Sequence, residues 1–370
     1  MSAQLLLIGG GHAHLGVLDF LTKRQRSGID VTLVSTHASQ VYSGMLPGHI
    51  AGHYSLAECS IPLDPVAERA HADFIRARVV GLDLAERVAL TEDGGVLPFD
   101  VVSIDIGPAP ERALVPGLEH VVSVRPIDRL LGTWDTLEKR YAGTPLSQTL
   151  AVIGGGPAGT EVVAALAYRA RNADVQLKMS IVAGSPGLLP ELPKAARTMM
   201  RRRLNALGVR VIEADAEALR ANAVSIRGAG EFHADVIIAA LGAAAYPWPR
   251  ESGLKCDDRG FIEVNHHLQS VSHPFVFAAG DCASMAGQPH RPGGVYAVRA
   301  GPHLAENLLR TLTRRRLVTH RQPKRTLHLI SAGGADAVGA WGPLVFDGPW
   351  VWRWKDRIDR KFIRRFNPRV

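Results

Sequence analysis

Two stretches of the chain show the same succession of apolar and polar positions, and each predicts a strand, a glycine-rich turn, a helix and a second strand. In the first stretch, the apolar run at residues 4–8 predicts a buried parallel strand, residues 13–26 a helix, and residues 31–34 the next strand. The segment from Ser35 to Pro65 that follows lacks regular periodicity and carries several glycines and prolines. A loop of that length inside a compact domain is usually functional.

The second stretch repeats this order. It predicts a strand at residues 149–153, a helix over about 158–171 and a strand at residues 179–182. Each stretch is later followed by one more apolar strand that ends in a turn residue, at residues 100–107 and 235–242. The chain is therefore expected to contain two related halves of the α/β type.

The remainder of the chain predicts a return to the first half and then a small C-terminal unit. The run Phe275–Phe277 resembles a further strand of the first half, while residues 327–330 and 337–341, separated by two glycines, predict a hairpin. Five apolar residues then recur at steps of four and predict one stripe along an amphipathic helix. They are Trp350, Trp354, Ile358, Phe362 and Phe366.

Length and composition predict a globular protein of two or three domains, since 370 residues that are 46% hydrophobic suffice for a sizeable core. The net charge is +8, and eight basic against two acidic residues between Trp350 and Val370 account for +6 of it. A nearly neutral body argues against nucleic acid as a partner, and we interpret the runs Arg201–Arg203 and Arg314–Arg316 as solvated helix ends. No signal peptide or membrane-spanning stretch is found, so the expected compartment is the cytoplasm.

The turns after the first strand of each half carry the candidate chemistry. They read Gly9-Gly-Gly-His-Ala-His14 and Gly154-Gly-Gly-Pro-Ala-Gly159. Such a turn lets the backbone approach a diphosphate, whose charge is met by the unpaired N–H groups of the following helix. Two loops in this context, joined by the later Ala278-Ala-Gly-Asp281, indicate two dinucleotides on one chain, a flavin facing a nicotinamide. Asp281 would hydrogen-bond the ribityl hydroxyls of the flavin, and an ordinary turn aspartate is the alternative.

Each half departs at certain points from the usual sequence fingerprint of a dinucleotide-binding loop, which has three glycines and an acid at the end of the second strand. In the first loop His14 replaces the third glycine, so it either contacts the ligand across a wider gap or fills space at the helix start. Ser35 stands where an acid would hold a ribose hydroxyl. The second loop has all three glycines, but its second strand ends at Ala183 with neither an acid nor a nearby arginine, so the choice between NADH and NADPH stays open.

These segments resemble the flavoproteins of the pyridine nucleotide-disulfide oxidoreductase type, which have two dinucleotide-binding domains. The resemblance extends over nearly the whole chain through residues 9–14, 154–161, 277–283 and 292–308. Residues 42–48 and 352–362 resemble more closely the branch related to type II NADH dehydrogenases. Some members of that branch are fused to a selenide,water dikinase, and this chain has no kinase part.

The resemblance implies an α/β fold of the glutathione reductase type without the redox cysteine pair. Its parts would be two Rossmann-like domains, a small C-terminal hairpin and the amphipathic helix. The FAD-binding domain is expected to comprise residues 1–110 and 245–325, the NAD(P)-binding domain residues 111–244, and the C-terminal unit residues 326–370. Disulfide reductases of the family carry a CxxxxC pair after the second strand, and the corresponding segment here contains no cysteine.

The resemblance also implies roles for individual residues. Glu161 is expected near the nicotinamide, where it would position the ring rather than transfer a proton. The FAD is expected to contact Gly9, Gly11, His12, His14, Ser35, Tyr42, Met45, Pro47, Gly107, Gly280, Asp281, Gly294, Val295 and Tyr296. The NAD(P)H is expected at Gly154, Gly156, Pro157, Ala158, Gly159 and Gly242.

The second electron acceptor is less constrained. Type II relatives carry a glutamine-containing quinone motif where residues 297–302 of this chain have no glutamine, which puts a quinone in doubt. Cys256 and Cys282 could be imagined as the distant cysteine pair of a sulfide:quinone oxidoreductase, but free thiols used in packing are the simpler interpretation. His49 and His53 are four residues apart and lack the further ligands of a closed metal site, so no metal is expected.

Two interpretations of the C-terminal helix stay open. A basic amphipathic helix with Trp and Phe can lie in a membrane interface, here the inner face of the plasma membrane. The same stripe could instead pack on its own protein or on a second copy in a homodimer.

The leading hypothesis is an FAD-dependent NAD(P)H oxidoreductase, in which hydride passes from the nicotinamide to flavin N5 and electrons then leave to a small acceptor, a quinone or another molecule. One alternative is a flavoprotein partner of selenide,water dikinase in selenium metabolism, which rests on resemblance alone. The third is an enzyme similar to sulfide:quinone oxidoreductases.

Overall fold

The computed structural model describes residues 2–24, 27–110, 115–124, 130, 132, 148–288, 290, 292–323 and 325–368. Helices α1 to α8 of this part are His12–Thr22, Leu46–Ile50, Leu63–Arg69, Pro157–Asn172, Lys194–Ala206, Trp248–Glu251, Gly294–Leu312 and Pro349–Phe366. Strands β1 to β13 are Ala3–Ile8, Ile29–Ser35, Ser39–Val41, Ser60–Pro62, Asp73–Arg76, Val79–Asp83, Val88–Thr91, Val96–Pro98, Val101–Ile104, Ala109–Pro110, Val122–Ser123, Gln148–Ile153 and Leu177–Val182. Strands β14 to β25 are Arg210–Ile212, Ala216–Arg220, Ala223–Ile226, Gly230–His233, Val236–Ala239, Ala243–Ala244, Ile262–Val264, Val276–Ala278, Ala283–Met285, Leu327–Ser331, Ala337–Trp341 and Leu344–Gly348.

The first large sheet has the strand order β21–β9–β1–β2–β5, and all of its pairs are parallel. Strand β1 lies in the middle and is buried from Leu5 to Ile8, as expected of an apolar run covered on both faces. Helices α1 and α7 approach each other at a pair of glycines, because a Cβ added to Gly16 would lie 3.1 Å from Gly301 Cα. Strand β21 comes late in the chain, so the chain returns to this sheet after it has formed the second one.

The second large sheet repeats this layout with the order β11–β18–β12–β13–β14, again all parallel. Strand β12 occupies the place of β1, and α4 follows it as α1 follows β1. A three-stranded antiparallel sheet accompanies each large sheet: β6–β7–β8 in the first half and β15–β16–β17 in the second. The predicted α/β class with two related halves is thereby confirmed.

The C-terminal unit has one strand more than predicted. Strands β23 and β24 form the predicted antiparallel hairpin, and β25 pairs with β24 across a two-residue turn between Trp341 and Leu344. Gly342 adopts φ +57°, which suits a glycine in so tight a turn. The Gly342-Pro343 dipeptide was the sequence signal for this turn, and the short, irregular run after it concealed the strand.

The segment from Ser35 to Pro65 is also more regular than predicted. It contains the short antiparallel pair β3–β4, helix α2 and a turn of 3-10 helix at Ala57–Cys59. The first helix is shorter than predicted, since it ends at Thr22. Lys23 and Arg24, which follow the helix, are exposed, so no tertiary packing extends it.

Apolar side chains of the C-terminal unit enter the cores of both halves. Ile363 and Phe366 of α8 lie in the cluster around α1 and α7, whereas Ile330 and Val338 of the small sheet lie in the cluster around α4 and α5. The unit therefore packs across both halves. The division into residues 1–110 with 245–325, 111–244 and 326–370 stays a proposal.

Candidate active site

The first glycine loop requires glycine at two positions. Gly9 has φ +97°, and a Cβ there would lie 2.3 Å from the carbonyl oxygen of Asp105. A Cβ on Gly11 would lie 2.3 Å from the carboxylate of the same residue. Helix α1 starts after Gly11, and the Asp105 carboxylate accepts hydrogen bonds from the N–H groups of Ala13 and His14, so only the rest of the first turn of N–H groups remains available for a ligand.

His14 is fully buried in the packing between α1 and the first sheet. Its Nδ1 lies 2.6 Å from Gly9 O and its Nε2 lies 2.8 Å from Ser103 Oγ, so both ring nitrogens are engaged by the protein. Burial, opposed by the hydrogen bond to Gly9, lowers the pKa of His14 to about 4. This corrects the expectation that His14 contacts the cofactor: the larger side chain fills the space that opens when the third glycine is lost.

The second glycine loop has the same construction. Gly154 has φ +123°, and a Cβ there would lie 2.3 Å from Ala240 O, while a Cβ on Gly159 would lie 2.0 Å from Gly154 O. The space around Gly156 is open, because no atom lies within 4 Å of its added Cβ. Pro157 and Ala158 are exposed at the start of α4, so this loop faces open space.

The third segment closes on the first loop. Asp281 Oδ1 accepts a hydrogen bond of 2.6 Å from Gly293 N–H, just before α7 begins at Gly294. Gly280 has φ +72°, and its added Cβ would lie 2.3 Å from Asp105 Oδ1. Gly294 and Val295 are exposed at the helix start, and Tyr296 is half-buried.

The other predicted flavin contacts fall into two groups. Ser35, at the end of β2, is 8% exposed, and Gly107 lies after β9, as Gly242, which is expected to contact NAD(P)H, lies after β18. Met45, by contrast, is 0% exposed within the core of the first half. A side chain that faced a cofactor cavity would retain exposed area, so Met45 packs in the core and the expected contact is corrected. Pro47 is likewise buried, in α2.

The two loops and the third segment fit dinucleotides. Gly156 and Gly294 face unfilled space at the starts of α4 and α7, and neither has an atom within 4 Å of its added Cβ. The buried Nε2 of His12, at the start of α1, has no hydrogen-bond partner. Open helix starts with glycine at their first positions are what a diphosphate requires.

Glu161 connects the second half to the C-terminal unit. It follows the second glycine loop on α4, and its Oε1 accepts a hydrogen bond of 2.8 Å from Ser331 N–H of β23. Burial raises the pKa of Glu161, and the charge of Lys355 and the hydrogen bond from Ser331 oppose that rise. The carboxylate therefore lies where α4, the small sheet and α8 meet.

A buried ion pair on α8 faces this carboxylate. Lys355 Nζ lies 2.6 Å from Asp359 Oδ2, and the two side chains are 11% and 6% exposed. The same ammonium donates to Gly44 O, and Asp359 Oδ1 accepts from Tyr42 OH at 3.1 Å. Burial disfavours the ammonium of Lys355, but the charges of Asp359 and Glu161 outweigh it and raise its pKa, so the group stays protonated.

Aromatic rings extend this cluster to the first glycine loop. The ring centroids of His12 and Tyr42 are 5.4 Å apart, and Phe362 of α8 lies 5.6 Å from His12 and 4.8 Å from Tyr42. Burial lowers the pKa of His12, opposed by the charge of Asp281. Residues of three separate parts of the chain thus meet beside both glycine loops, in a cluster that we call the junction: His12, Tyr42, Glu161, Lys355, Asp359 and Phe362.

Further contacts hold α8 against the first half. Tyr54 OH donates to Asp356 at 2.7 Å, and Arg360 pairs with Glu58 at 3.1 Å and with Asp356 at 2.9 Å. Burial, then the hydrogen bond to Asp356, raises the pKa of Tyr54. The inward face of α8 is therefore polar as well as apolar.

The stripe predicted along α8 divides between solvent and core. Trp350, Trp354 and Ile358 are 50%, 38% and 41% exposed, whereas Phe366 is 2% exposed. Four residues span about 40° more than one full turn of a helix with 3.6 residues per turn, so the stripe winds from the outer to the inner side. The prediction of a single face is wrong for this reason.

Sequence reasoning missed three residues of this region. Asp105 is the single acid inside an apolar strand sequence, a departure that could have been noticed. Lys355 and Asp359 were counted only in the net charge of residues 350–370, although their spacing of four places them on one helix face. Arg203 was also misjudged as solvated, because it pairs with Asp336 and Asp347 at 2.7 and 2.6 Å.

The candidate sulfur and metal sites have ordinary structural explanations. Cys282 is buried with Sγ 3.2 Å from Ala279 O, and burial raises its pKa. The rings of His49 and His53 bond to backbone carbonyls of Tyr54 and Gly333. No group of three or more potential metal ligands forms among the residues that the structure describes.

The two parallel sheets, each with a strand, a glycine loop and a helix start, define a class of protein: an α/β protein with two Rossmann-like, dinucleotide-binding halves. The sequence profile of the pyridine nucleotide-disulphide oxidoreductase family matches residues 3–307, and the chain belongs to this family. The predicted family is confirmed, and the chain is an FAD-containing, NAD(P)H-dependent oxidoreductase.

Individual relatives agree with this assignment. The NADH dehydrogenase-like protein YutJ of Bacillus subtilis is 24% identical over 306 residues, which cover 80% of this chain and 79% of that protein. The structure of the sulfide:quinone oxidoreductase of Aquifex aeolicus shares the fold with a TM-score of 0.83 at 16% identity, covering 99% and 92% of the two chains. NDH2 of Plasmodium falciparum in complex with NADH gives a TM-score of 0.82 at 14% identity and covers 98% of each chain.

No helix in the described ranges is both long and apolar enough to cross a bilayer.

Proposed function

We propose that this enzyme takes hydride from NADH onto a flavin and passes the electrons to a small acceptor that binds protons, such as a quinone. A bound flavin supplies the capacity to accept hydride and release electrons. The observation that carries the proposal is the junction, where Glu161, Lys355 and Tyr42 come from three parts of the chain and meet beside both glycine loops.

The residues of the junction have distinct proposed tasks. Glu161, held by Ser331 N–H, borders the nicotinamide site and fixes the orientation of the ring. Lys355 keeps a proton at Nζ close to the hydroxyl of Tyr42, because both groups bond to Asp359. A charged donor in a buried site is well placed to orient an acceptor oxygen and to stabilise negative charge that develops on it.

The ribose edge of the second half supports NADH over NADPH as the donor. Asp215 Oδ1 accepts a hydrogen bond of 2.8 Å from Ser185 N–H, in the turn after β13, and Arg227 pairs with Asp215 at 3.1 Å. The bond from Ser185 lowers the pKa of Asp215, so its carboxylate stays ionised. A 2′-phosphate placed beside Asp215 would meet a like charge.

An anaerobic titration tests the proposed donor. The purified enzyme is expected to be yellow and to bleach on addition of NADH, with NADPH needing a concentration at least about tenfold higher. An acceptor panel then compares quinones with one-electron dyes. A colourless preparation that cannot be reconstituted with FAD, or a flavin that neither nucleotide bleaches, would disprove the proposal.

The outer face of α8 supports contact with a membrane surface. Trp350 and Trp354 stack at 6.3 Å, Trp341 and Leu344 of the small sheet are 51% and 59% exposed, and Phe346 lies 5.5 Å from Trp350. Four exposed cations share this side of the helix: Arg353, Arg357, Lys361 and Arg364. Basic residues near an anionic surface contribute about 1 kcal/mol each, in addition to aromatic burial.

Replacing Trp350 and Trp354 by serine is expected to weaken binding to anionic vesicles at least about tenfold, because the aromatic area would no longer be buried in the interface. Co-sedimentation with phosphatidylglycerol and phosphatidylcholine vesicles measures it, and Val96→Ser, at a 57% exposed position of β8, is the matched control. Two results would contradict a lipid partner. One is equal binding to both kinds of vesicle, and the other is a homodimer that forms in the wild type but not in the double variant.

The link to selenide,water dikinase stays a prediction. No feature of the described residues favours it over the oxidoreductase function. The sulfide reaction gains no support from the cysteines either, because the thiolate of Cys282 is disfavoured by burial.

A further inference from the structure

A carboxylate without a cationic partner lies beneath the first glycine loop. Asp105 directly follows β9 and is 2% exposed. Its Oδ2 accepts hydrogen bonds from the N–H groups of Ala13, at 2.8 Å, and His14, at 3.1 Å. Both N–H groups belong to the first turn of α1, the helix whose start is proposed to receive the FAD diphosphate. Within the described part of the chain, Asp105 pairs with no lysine or arginine.

The glycines of two segments are arranged around this side chain. A Cβ added to Gly11 or to Gly280 would lie 2.3 Å from Asp105 Oδ1. The backbone of Asp105 takes part as well, because Gly11 N–H donates to its carbonyl oxygen at 3.2 Å. Asp105 therefore lies between the first loop and the third segment, the two parts of the chain that would enclose the diphosphate and ribityl groups.

An ionised Asp105 would place its negative charge at the same helix start as the negatively charged diphosphate of the ligand. A helix start carries roughly half a positive charge. A diphosphate brings two negative charges to the same end, and an ionised Asp105 would add a third in a buried position without a counterion. Burying an unpaired charge is costly, so a site filled by FAD favours the neutral carboxylic acid.

The groups facing Asp105 do not supply a compensating charge. On α1, His12 and His14 have lowered pKa values and are neutral near pH 7. In the turn after β21, Asp281 adds a negative charge, and burial raises the pKa of Cys282 so that it stays a thiol. On α7, the nearest side chain to Gly280 is the methyl group of Ala297. Burial, followed by Asp281 and opposed by the bonds from His14 and Ala13, raises the pKa of Asp105 to about 7.

We propose that Asp105 is a positioning residue that couples FAD binding to proton uptake. The complex holds Asp105 in its protonated form, and an apoprotein with ionised Asp105 takes one proton from solvent when FAD binds. This inference rests on the proposed place of FAD at the first loop. The protonated oxygen can then donate a hydrogen bond, which an ionised carboxylate cannot do.

The direction of the pH dependence follows from this assignment. The complex holds more protons than the apoprotein wherever the apoprotein is ionised, so FAD affinity falls as pH rises. Below about pH 7 both states are protonated and the dissociation constant is constant. Above about pH 7 it rises up to tenfold for each pH unit, until Asp105 ionises in the complex as well.

Binding of FAD to flavin-free protein tests the proposal. Dissociation constants are measured by fluorescence between about pH 6 and pH 8.5, and calorimetry in two buffers of different protonation enthalpy counts protons, with about zero expected at pH 6 and about nine tenths of one at pH 8. Asp105→Asn keeps an oxygen acceptor and is expected to bind FAD with the same constant at every pH. Asp100→Asn is the matched control, because Asp100 precedes the same strand and bonds to Gln4 N–H at its other end.

The outcomes separate this inference from the proposed function. A wild-type dissociation constant that does not change with pH, or no proton uptake at pH 8, would overturn the role of Asp105 while the flavoenzyme stands. A pH slope that survives in Asp105→Asn would overturn it too. If that variant does not fold, calorimetry of the wild-type protein decides alone. Failure to bind FAD at any pH would remove both proposals.

Discussion

Replacing Gly156 by alanine is expected to weaken NADH binding about 100-fold and leave FAD content and thermal stability unchanged. The added Cβ meets no protein atom within 4 Å, and the residue has φ −72°, so the apoprotein tolerates it. The same Cβ would stand in the space that a diphosphate needs for close approach to the loop. Anaerobic flavin reduction at increasing NADH concentrations measures the effect.

Gly208→Ala is the matched control for this variant. Gly208 lies in the same half of the chain, with φ +78° and no atom within 4 Å of its added Cβ. Alanine at a positive φ costs about 1 kcal/mol of stability, but this turn lies after α5, remote in sequence from the loop. Its NADH dependence is expected to match the wild type. Equal bleaching of the Gly156→Ala protein would show that the dinucleotide binds elsewhere.

The two glycine loops could be predicted from sequence because their requirements are local. A strand, a turn with a positive φ at Gly9 or Gly154, and a helix start all lie within about ten residues. The apolar runs of the two large sheets were predictable for the same reason. A continuous apolar run directly indicates a strand that is buried on both faces.

The junction could not be predicted in this way, because its contacts join distant parts of the chain. Tyr42 and Asp359 are 317 residues apart, and Glu161 and Ser331 are 170 apart. No local pattern distinguishes a buried Lys355 from an exposed Lys361 on the same basic helix. The polar inner face of α8 becomes recognisable only when the packing of both halves against it is known.

The replacement of the third glycine by His14 was compatible with two roles of this side chain, a ligand contact or packing at the helix start. The missing third glycine was visible in the sequence, but its consequence depended on Ser103, a partner 89 residues away. That hydrogen bond fixes the ring inside the protein. A substitution in a fingerprint therefore indicates altered packing as readily as an altered ligand contact.

Replacing Lys355 by methionine is expected to lower the free energy of unfolding by about 3 to 5 kcal/mol, because it leaves Asp359 buried without its cation. Urea unfolding followed by circular dichroism measures the change. Lys361→Met, at an exposed position of the same helix, is the matched control and is expected to lie within about 0.5 kcal/mol of the wild type.

The loss caused by Lys355→Met is expected to depend on pH in one direction. Burial already raises the pKa of Asp359, and the ammonium of Lys355 opposes that rise, so the variant shifts the pKa of Asp359 further upward. An acid whose pKa is raised by folding loses stability as pH increases from its unfolded pKa to its folded pKa. The stability of the variant is therefore closest to that of the wild type in acid, and the difference grows as pH rises.

A double variant that also carries Asp359→Leu removes the buried charge and is expected to recover part of the loss at high pH. A loss that is independent of pH, or a double variant less stable than the single one, would show that Lys355 stabilises the junction by packing rather than by charge.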